Sequence, residues 1–392
     1  MRHVRPAIGL LSSTLACTPK PVSERTTPAE PLDAVPVAIA EAEPTVEPTA
    51  AEPSPEPEPP LVHEPPPVEP PPEPPPPERP LIASPGGPAL EITRRVRTGV
   101  QPKSVTISPD GSRLYVCNFG HAGRRNVYVY DAASLERVGH IDFRGNAAEA
   151  TVSADGSTVY VSNFARGVIE VVDASSLKVR HEVKVGNNPK FMVVDEAREL
   201  LYVSNWSART VSAVDLPARR VDHTLRTGRR PRGMALMSDG TLLVGAMWDH
   251  RVQVYAPGQV RPALEFEACE NPRHLVLSPD QARLYVSCSG DDALRWFDPR
   301  TGEVLGEAPT GDNPRTIDIS GDGRWVAIAD FSGSTVTLVD LRNMLHRTHE
   351  MPRTHQIVGL GVVPGDELRV LATSWLTNEL LELRPEGADH AT

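Results

Sequence analysis

Five basic residues follow a proline at comparable places along the chain: Lys103, Lys190, Arg232, Arg273 and Arg315, behind Pro102, Pro189, Pro231, Pro272 and Pro314. Ammonium and guanidinium groups gathered on one face bind anions through charge-assisted hydrogen bonds. A second set, Phe119, Phe164, Trp206, Trp248, Phe331 and Trp375, ends short apolar runs and supplies faces that hold cations or stack on planar and sugar ligands. Glu149 stands where a base is expected in one unit, and Ser289 where an aromatic is expected in another. Two readings stay open. The aromatics wedge between neighbouring elements while the bases pair with carboxylates, or the two sets together form a basic, aromatic mouth for an anionic, sugar or peptide ligand.

Reaction chemistry is sparse by comparison. The sequence has no Gly-x-Ser-x-Gly nucleophile turn, no phosphate-cradling loop of the Walker type and no His-Glu-x-x-His helix. His346, His349 and His355 with Glu350 form the densest histidine cluster, but i, i+3 spacing on a strand sends the first two to opposite faces, so an exposed edge is expected there. Glu149 and His274 are the residues to test as acid, base or ligand. No catalytic set, metal set or cofactor is assigned.

The elements that carry these residues repeat. A turn followed by an apolar strand, as in Ser108-Pro109-Asp110-Gly111 and then Leu114 to Phe119, recurs with its aspartate at 110, 155, 195, 239, 280, 322 and 366. Upstream of most turns lies an alternating segment opened by Gly-x-x-Pro, with Ala148 in the proline's place in the second unit, and downstream lie two further strands. Four short strands per unit of 40 to 45 residues cannot bury both faces alone, so the units must stack. A closed ring leaves the fewest free edges. Residues 89–99 match the fourth strand of other units, and the last unit stops after its third, Glu379 to Leu383. The expected fold is therefore all-β, a seven-bladed β-propeller over 89–386 whose last blade is closed by the N-terminal strand.

Ser-Pro-Asp-Gly-x-x-Leu-Tyr-Val-x-Asn at 108–118, nearly intact at 153–163, resembles the YVTN-type repeat of bacterial seven-bladed propellers. Related repeats occur in lactonase-type and cytochrome-d1-type propellers. The resemblance implies architecture more than chemistry. The six aromatics depart from the small or polar residue of that repeat. Lactonase-type propellers set carboxylate and amide ligands around a metal in the channel, and this sequence matches their repeat better than such a site.

The chain has 392 residues, 41 prolines and a net charge of -11. Residues 18–88 hold 25 of the prolines and 13 Asp/Glu against Lys20, Arg25 and Arg79, a composition that cannot repay the entropy of ordering. They are expected to be a disordered tether, roughly 200 Å long if in polyproline II. About -3 remains for 89–392, which disfavours a nucleic-acid-binding domain. Residues 1–17 read as an export signal. Thr14-Leu15-Ala16-Cys17 resembles a bacterial lipoprotein signal, implying a lipid on Cys17 and a periplasmic or surface location at the outer membrane. Residues 387–392 are expected to be a disordered tail. In an oxidising compartment Cys269, just before the fifth blade, and Cys288, at the end of its second strand, are expected to pair, leaving Cys117 buried. The function expected is a lipid-anchored binding or scaffold propeller. A lactonase-like or other hydrolytic enzyme is the alternative.

Overall fold

The computed structural model describes residues 81–387. The signal, Cys17, the tether up to residue 80 and the tail from 388 lie outside the described residues. Seven sheets follow one another, six with an antiparallel set of four consecutive strands and the last with three consecutive strands completed by an N-terminal one. Blade one comprises Pro102–Ile107, Arg113–Asn118, Val127–Asp131 and Arg137–Ile141. The first strands of successive blades pack side by side, and that of blade seven, Ile357–Val362, packs against that of blade one, so the ring is closed. The chain is thus a seven-bladed β-propeller.

The recurring turns hold because their aspartates satisfy the local backbone. Asp110, Asp155, Asp280 and Asp322 each accept the hydroxyl of the serine two residues before and the N–H of the residue two after. The core lies between blades. Tyr160, Ile169 and Val171 of blade two pack on Met192, Leu201 and Val214 of blade three, and each interface repeats this mixture. Truncating Leu201 to alanine in such a layer costs about 2–5 kcal/mol.

Closure falls to Leu90–Arg97, which pairs antiparallel with Glu379–Pro385 as the outer strand of blade seven. Its Arg94 reaches the carboxylate of buried Glu382, which Arg369 and Arg384 also hold. The domain begins earlier than the sequence suggests. Leu81–Ile82 adds a parallel strand to the outer edge of blade five, and Ser84–Pro85 does the same on blade six. Residues 81–88, assigned above to the tether, therefore bind across two blades before the closing strand starts. Composition hides this, because such pairing uses backbone groups rather than a hydrophobic face. Gly306 makes the approach possible, since a Cβ there would lie 2.6 Å from the Leu81 carbonyl. His349 is likewise no exposed edge residue: it is buried, and its Nδ1 accepts the Leu90 N–H at 3.2 Å.

Candidate ligand-binding channel

The strand register decides which residues share a level of the channel. Pro102, Pro189, Pro231, Pro272 and Pro314 all pair with the last residue of their neighbouring strand. In blade two Ala147 does so, opposite Asn163. Ala147, not Ala148, is therefore the proline equivalent, because one residue rather than two separates it from Gly145. The basic level reads Lys103, Ala148, Lys190, Arg232, Arg273, Arg315 and, in blade seven, Val358. Glu149 falls one level deeper, with Ser104, Phe191, Gly233, His274, Thr316 and Gly359.

The aromatic set needs a similar correction. The N–H groups of Phe119, Phe164, Trp206, Phe331 and Trp375 each bond the carbonyl of the residue preceding the first strand. In blade four Met247 makes this bond, to Arg230, and Trp248 follows one position later in a 3-10 turn. Trp248 still joins the set, its ring 6.4 Å from Trp206. Five of the six rings, all but Phe331, form a continuous arc. Trp375 lies 5.9 Å from Phe119, Phe119 lies 5.5 Å from Phe164, and Phe164 lies 6.4 Å from Trp206.

The cations use these rings as partners. Lys190 lies 4.0 Å from the Trp206 centroid and 5.4 Å from that of Phe164. Lys103 lies 5.8 Å from Phe119, and the Arg315 guanidinium 3.1 Å from Phe331. Arg230, which no repeat position singled out, inserts between Trp206 and Trp248 at 3.9 and 4.5 Å. Both of the structural roles considered above are thereby split. The aromatics do bridge neighbouring blades, but among the described residues the five channel bases form no ion pair. Nε of Arg273 and of Arg315 is buried without a hydrogen-bond partner, and Arg232 is 8% exposed.

Burial and mutual repulsion govern the charges here. Burial first, then Arg232, Lys103 and the other guanidiniums, push Lys190 down to about 4. The same causes hold Lys103 well below its ordinary value. Burial and Arg232 lower Arg315 to about 9. Burial lifts Glu149 to about 7 even though Lys103 and Arg232 pull it the other way. Beneath the bases lies a floor. Phe191 of blade three meets His274 of blade five at 4.8 Å, edge to face, across Gly233. A Cβ on Gly233 would sit 2.7 Å from the His274 Cα, so glycine is needed for the strands to converge. His274 Nδ1 accepts the Ile317 N–H at 3.0 Å, so its ring proton resides on Nε2. Below the floor a chamber of about 460 Å³ is lined by Glu149, His274 and Asp318 together with Thr106, Thr316 and apolar side chains.

Blade five has Ser289 in place of a ring, and a covalent link lies beside it. In blades one to three a glycine packs on the asparagine ending the second strand: a Cβ on Gly99 would be 2.4 Å from Asn118, and one on Gly186 would be 2.5 Å from Asn205. Cys269 and Cys288 occupy those two places in blade five and form a disulfide, with Cα atoms 5.6 Å apart. Cys117 is free and buried.

Comparison with known proteins agrees on the class. The family model described as "Lactonase, 7-bladed beta-propeller" matches residues 250–366. No curated protein matches the chain. Among solved structures, the chain is similar to Kuenenia stuttgartiensis hydrazine synthase, with 19% identity over 75% of this chain and 98% of that one, at a TM-score of 0.65. A mitotic checkpoint complex structure gives 16% identity, 78% and 96% coverage and a TM-score of 0.65. The β-propeller domain of Myceliophteria thermophila Cps50 (Swd1) gives 14%, 75% and 99%, also at 0.65. At these identities the likeness is one of fold.

Proposed function

We propose that this is an exported, lipid-anchored propeller whose channel mouth binds an anionic ligand. The carrying observation is the set of five bases at one level of the channel that form no ion pair among the described residues, three of which, Lys103, Lys190 and Arg315, lie against aromatic rings, while the Nε of Arg273 and of Arg315 is buried without a hydrogen-bond partner. The ring contacts hold these three side chains in place without an acidic partner, so an arriving anion finds their donors oriented and unpaired. A sugar or peptide ligand has less support, because the ring faces that would stack on it are occupied by cations. The lipid anchor rests on Cys17 and the residues before it. Changing Lys190, Arg232 and Arg315 together to glutamate is expected to abolish capture of ligand from an envelope fraction. Unchanged capture would refute the choice of face. Membrane fractionation unaltered by Cys17→Ser would refute the anchor.

A hydrolytic role has one specific support, the lactonase-type match over 250–366. The metal that this resemblance implies does not suit the channel mouth, where Glu149 lies one level beneath Arg232, Arg273 and Arg315, whose guanidiniums would repel a divalent cation. Hydrolysis is better sought in the chamber below, where Glu149, His274 and Asp318 line the wall. Turnover of a lactone panel that is lost in Asp318→Asn, with the fold intact, would favour the enzyme.

A further inference from the structure

Strand alternation turns the residues two places beyond the level of Glu149 and His274 to the same side of their strands, into the lower channel. At that level stand Thr106 of blade one, Thr151 of blade two, Val276 of blade five and Asp318 of blade six. Asp318 is the one ionisable side chain there, since the other three places hold Val193, Ala235 and Gly361. Thr106, Thr151, Val276 and Asp318 wall the chamber of about 460 Å³ beneath the Phe191–His274 floor, a volume usual for small-molecule sites. The exposed turn residues Pro109, Gly321 and Pro364 form its rim, so it opens at the end of the channel away from the bases.

The polar atoms of this wall accept hydrogen bonds and spend their own protons elsewhere. Thr106 Oγ1 donates to the Ala150 carbonyl at 2.9 Å and Thr316 Oγ1 to that of Val358 at 2.6 Å, so each oxygen has only lone pairs left to offer. Asp318 accepts the N–H groups of Ile319 and Val362, at 2.9 and 2.7 Å, one on each carboxylate oxygen. Each oxygen keeps a further lone pair, and among the described residues no cation answers the charge. Arg232 acts on Glu149 and His274 at the floor, whereas burial and the two backbone groups alone act on Asp318. His274 brings no positive charge either, because burial and then Arg232 push it down to about 3. Ile107, Val276 and Ile319 add apolar surface to the same chamber.

We propose that this chamber is a second binding site, separate from the mouth, for a small organic ammonium ion whose charged head meets Asp318 and whose apolar body packs on Ile107, Val276 and Ile319. An ammonium group carries N–H donors and no acceptor, which matches a wall of acceptors. A carboxylate ligand would meet Asp318 as a like charge, and a neutral alcohol would leave that charge unpaired. The site stands whether or not the mouth binds anions.

Calorimetric titration of the full chain at pH 8 with benzylammonium, methylammonium, benzyl alcohol and benzoate tests it. Benzylammonium is expected to bind at least about tenfold more tightly than methylammonium or benzyl alcohol, and benzoate not at all; about tenfold is the worth of one charge-assisted hydrogen bond or of a buried ring. Asp318→Asn, which keeps the shape of the side chain, should lower the benzylammonium affinity about tenfold and leave pyrophosphate binding at its wild-type value. Failure of the chamber, read with benzylammonium, and failure of the mouth, read with pyrophosphate, are thus separate results. In the wild type the benzylammonium affinity should rise from pH 5 to pH 8, because burial lifts Asp318 to about 6 and Glu149, the other carboxylate of the chamber, to about 7, while His274 stays neutral. That check needs no variant, should Asp318→Asn fold poorly. Benzoate or benzyl alcohol binding as tightly as benzylammonium, an affinity indifferent to Asp318→Asn or to pH, or no benzylammonium binding at all, would overturn the inference.

Discussion

Replacing Glu382 by glutamine should open the ring at its closing blade. The carboxylate is 1% exposed and holds Arg94 from the closing strand, Arg369 from the entry to the second strand and Arg384 from its own strand. Burial alone would raise its pKa, but the hydrogen bond from Arg94 and the charge and hydrogen bond of Arg369 outweigh this and hold it at about 2. Relative to the ordinary 4.5, that shift corresponds to about 3 kcal/mol of stability, in line with the usual cost of breaking a buried ion pair. Because the folded-state pKa is depressed, this contribution is complete above pH 4.5 and is lost as pH falls towards 2. Urea unfolding should therefore show Glu382→Gln less stable than wild type by about 3 kcal/mol at pH 7, with the gap closing near pH 2. Hydrogen exchange should place the loss first in Leu90–Arg97 and Glu379–Pro385. Equal stabilities at pH 7, or a gap that persists undiminished at pH 2, would refute the reasoning.

Asp330 presents the opposite sign: burial raises it to about 7, against hydrogen bonds from Thr337 and Thr335, and its Oδ1 has no partner. The folded state retains that proton, so stability should decline as pH rises from about 4 through 7, and Asp330→Asn, the residue of blades one to three at this position, should flatten the decline; parallel pH profiles would contradict this. Reducing the Cys269–Cys288 bond, which spans 19 residues, should cost about 3 kcal/mol in urea unfolding, and iodoacetamide without reductant should label neither cysteine in the native protein. Trp206→Ala removes the ring that Lys190 and Arg230 share, and is expected to weaken binding of a polyanionic probe such as pyrophosphate at the channel mouth about tenfold; unchanged affinity would mean that the rings do not hold the bases for ligand.

Much of the architecture was legible because it is written in local, repeated signals. The turn aspartates fix their own backbone through side-chain bonds within two residues, so their spacing alone counted the blades. The half-match between residues 89–99 and the incomplete last unit likewise revealed the closing strand. The site was legible only in outline. Each Pro-Lys or Pro-Arg pair marked its blade, but blade two begins its strand one residue earlier and blade four ends one of its strands one residue earlier than the repeat suggests. A slip of one residue in a strand turns a side chain to the opposite face. That slip moved Glu149 to a deeper level and put Met247 where Trp248 was expected.

The sequence by itself determined the number of blades, the closing strand and the residue types that face the channel, since these depend on period-2 alternation and turn chemistry within one unit. Only the tertiary structure decided how the bases are partnered. Whether Arg315 meets a carboxylate or the Phe331 ring depends on which side chains the converging strands leave within reach, as does the partnering of Lys190 with Trp206. It also decided where the domain begins: Leu81–Ile82 and Ser84–Pro85 are held by backbone hydrogen bonds to distant strand edges, and such bonds leave no pattern in the order of side chains.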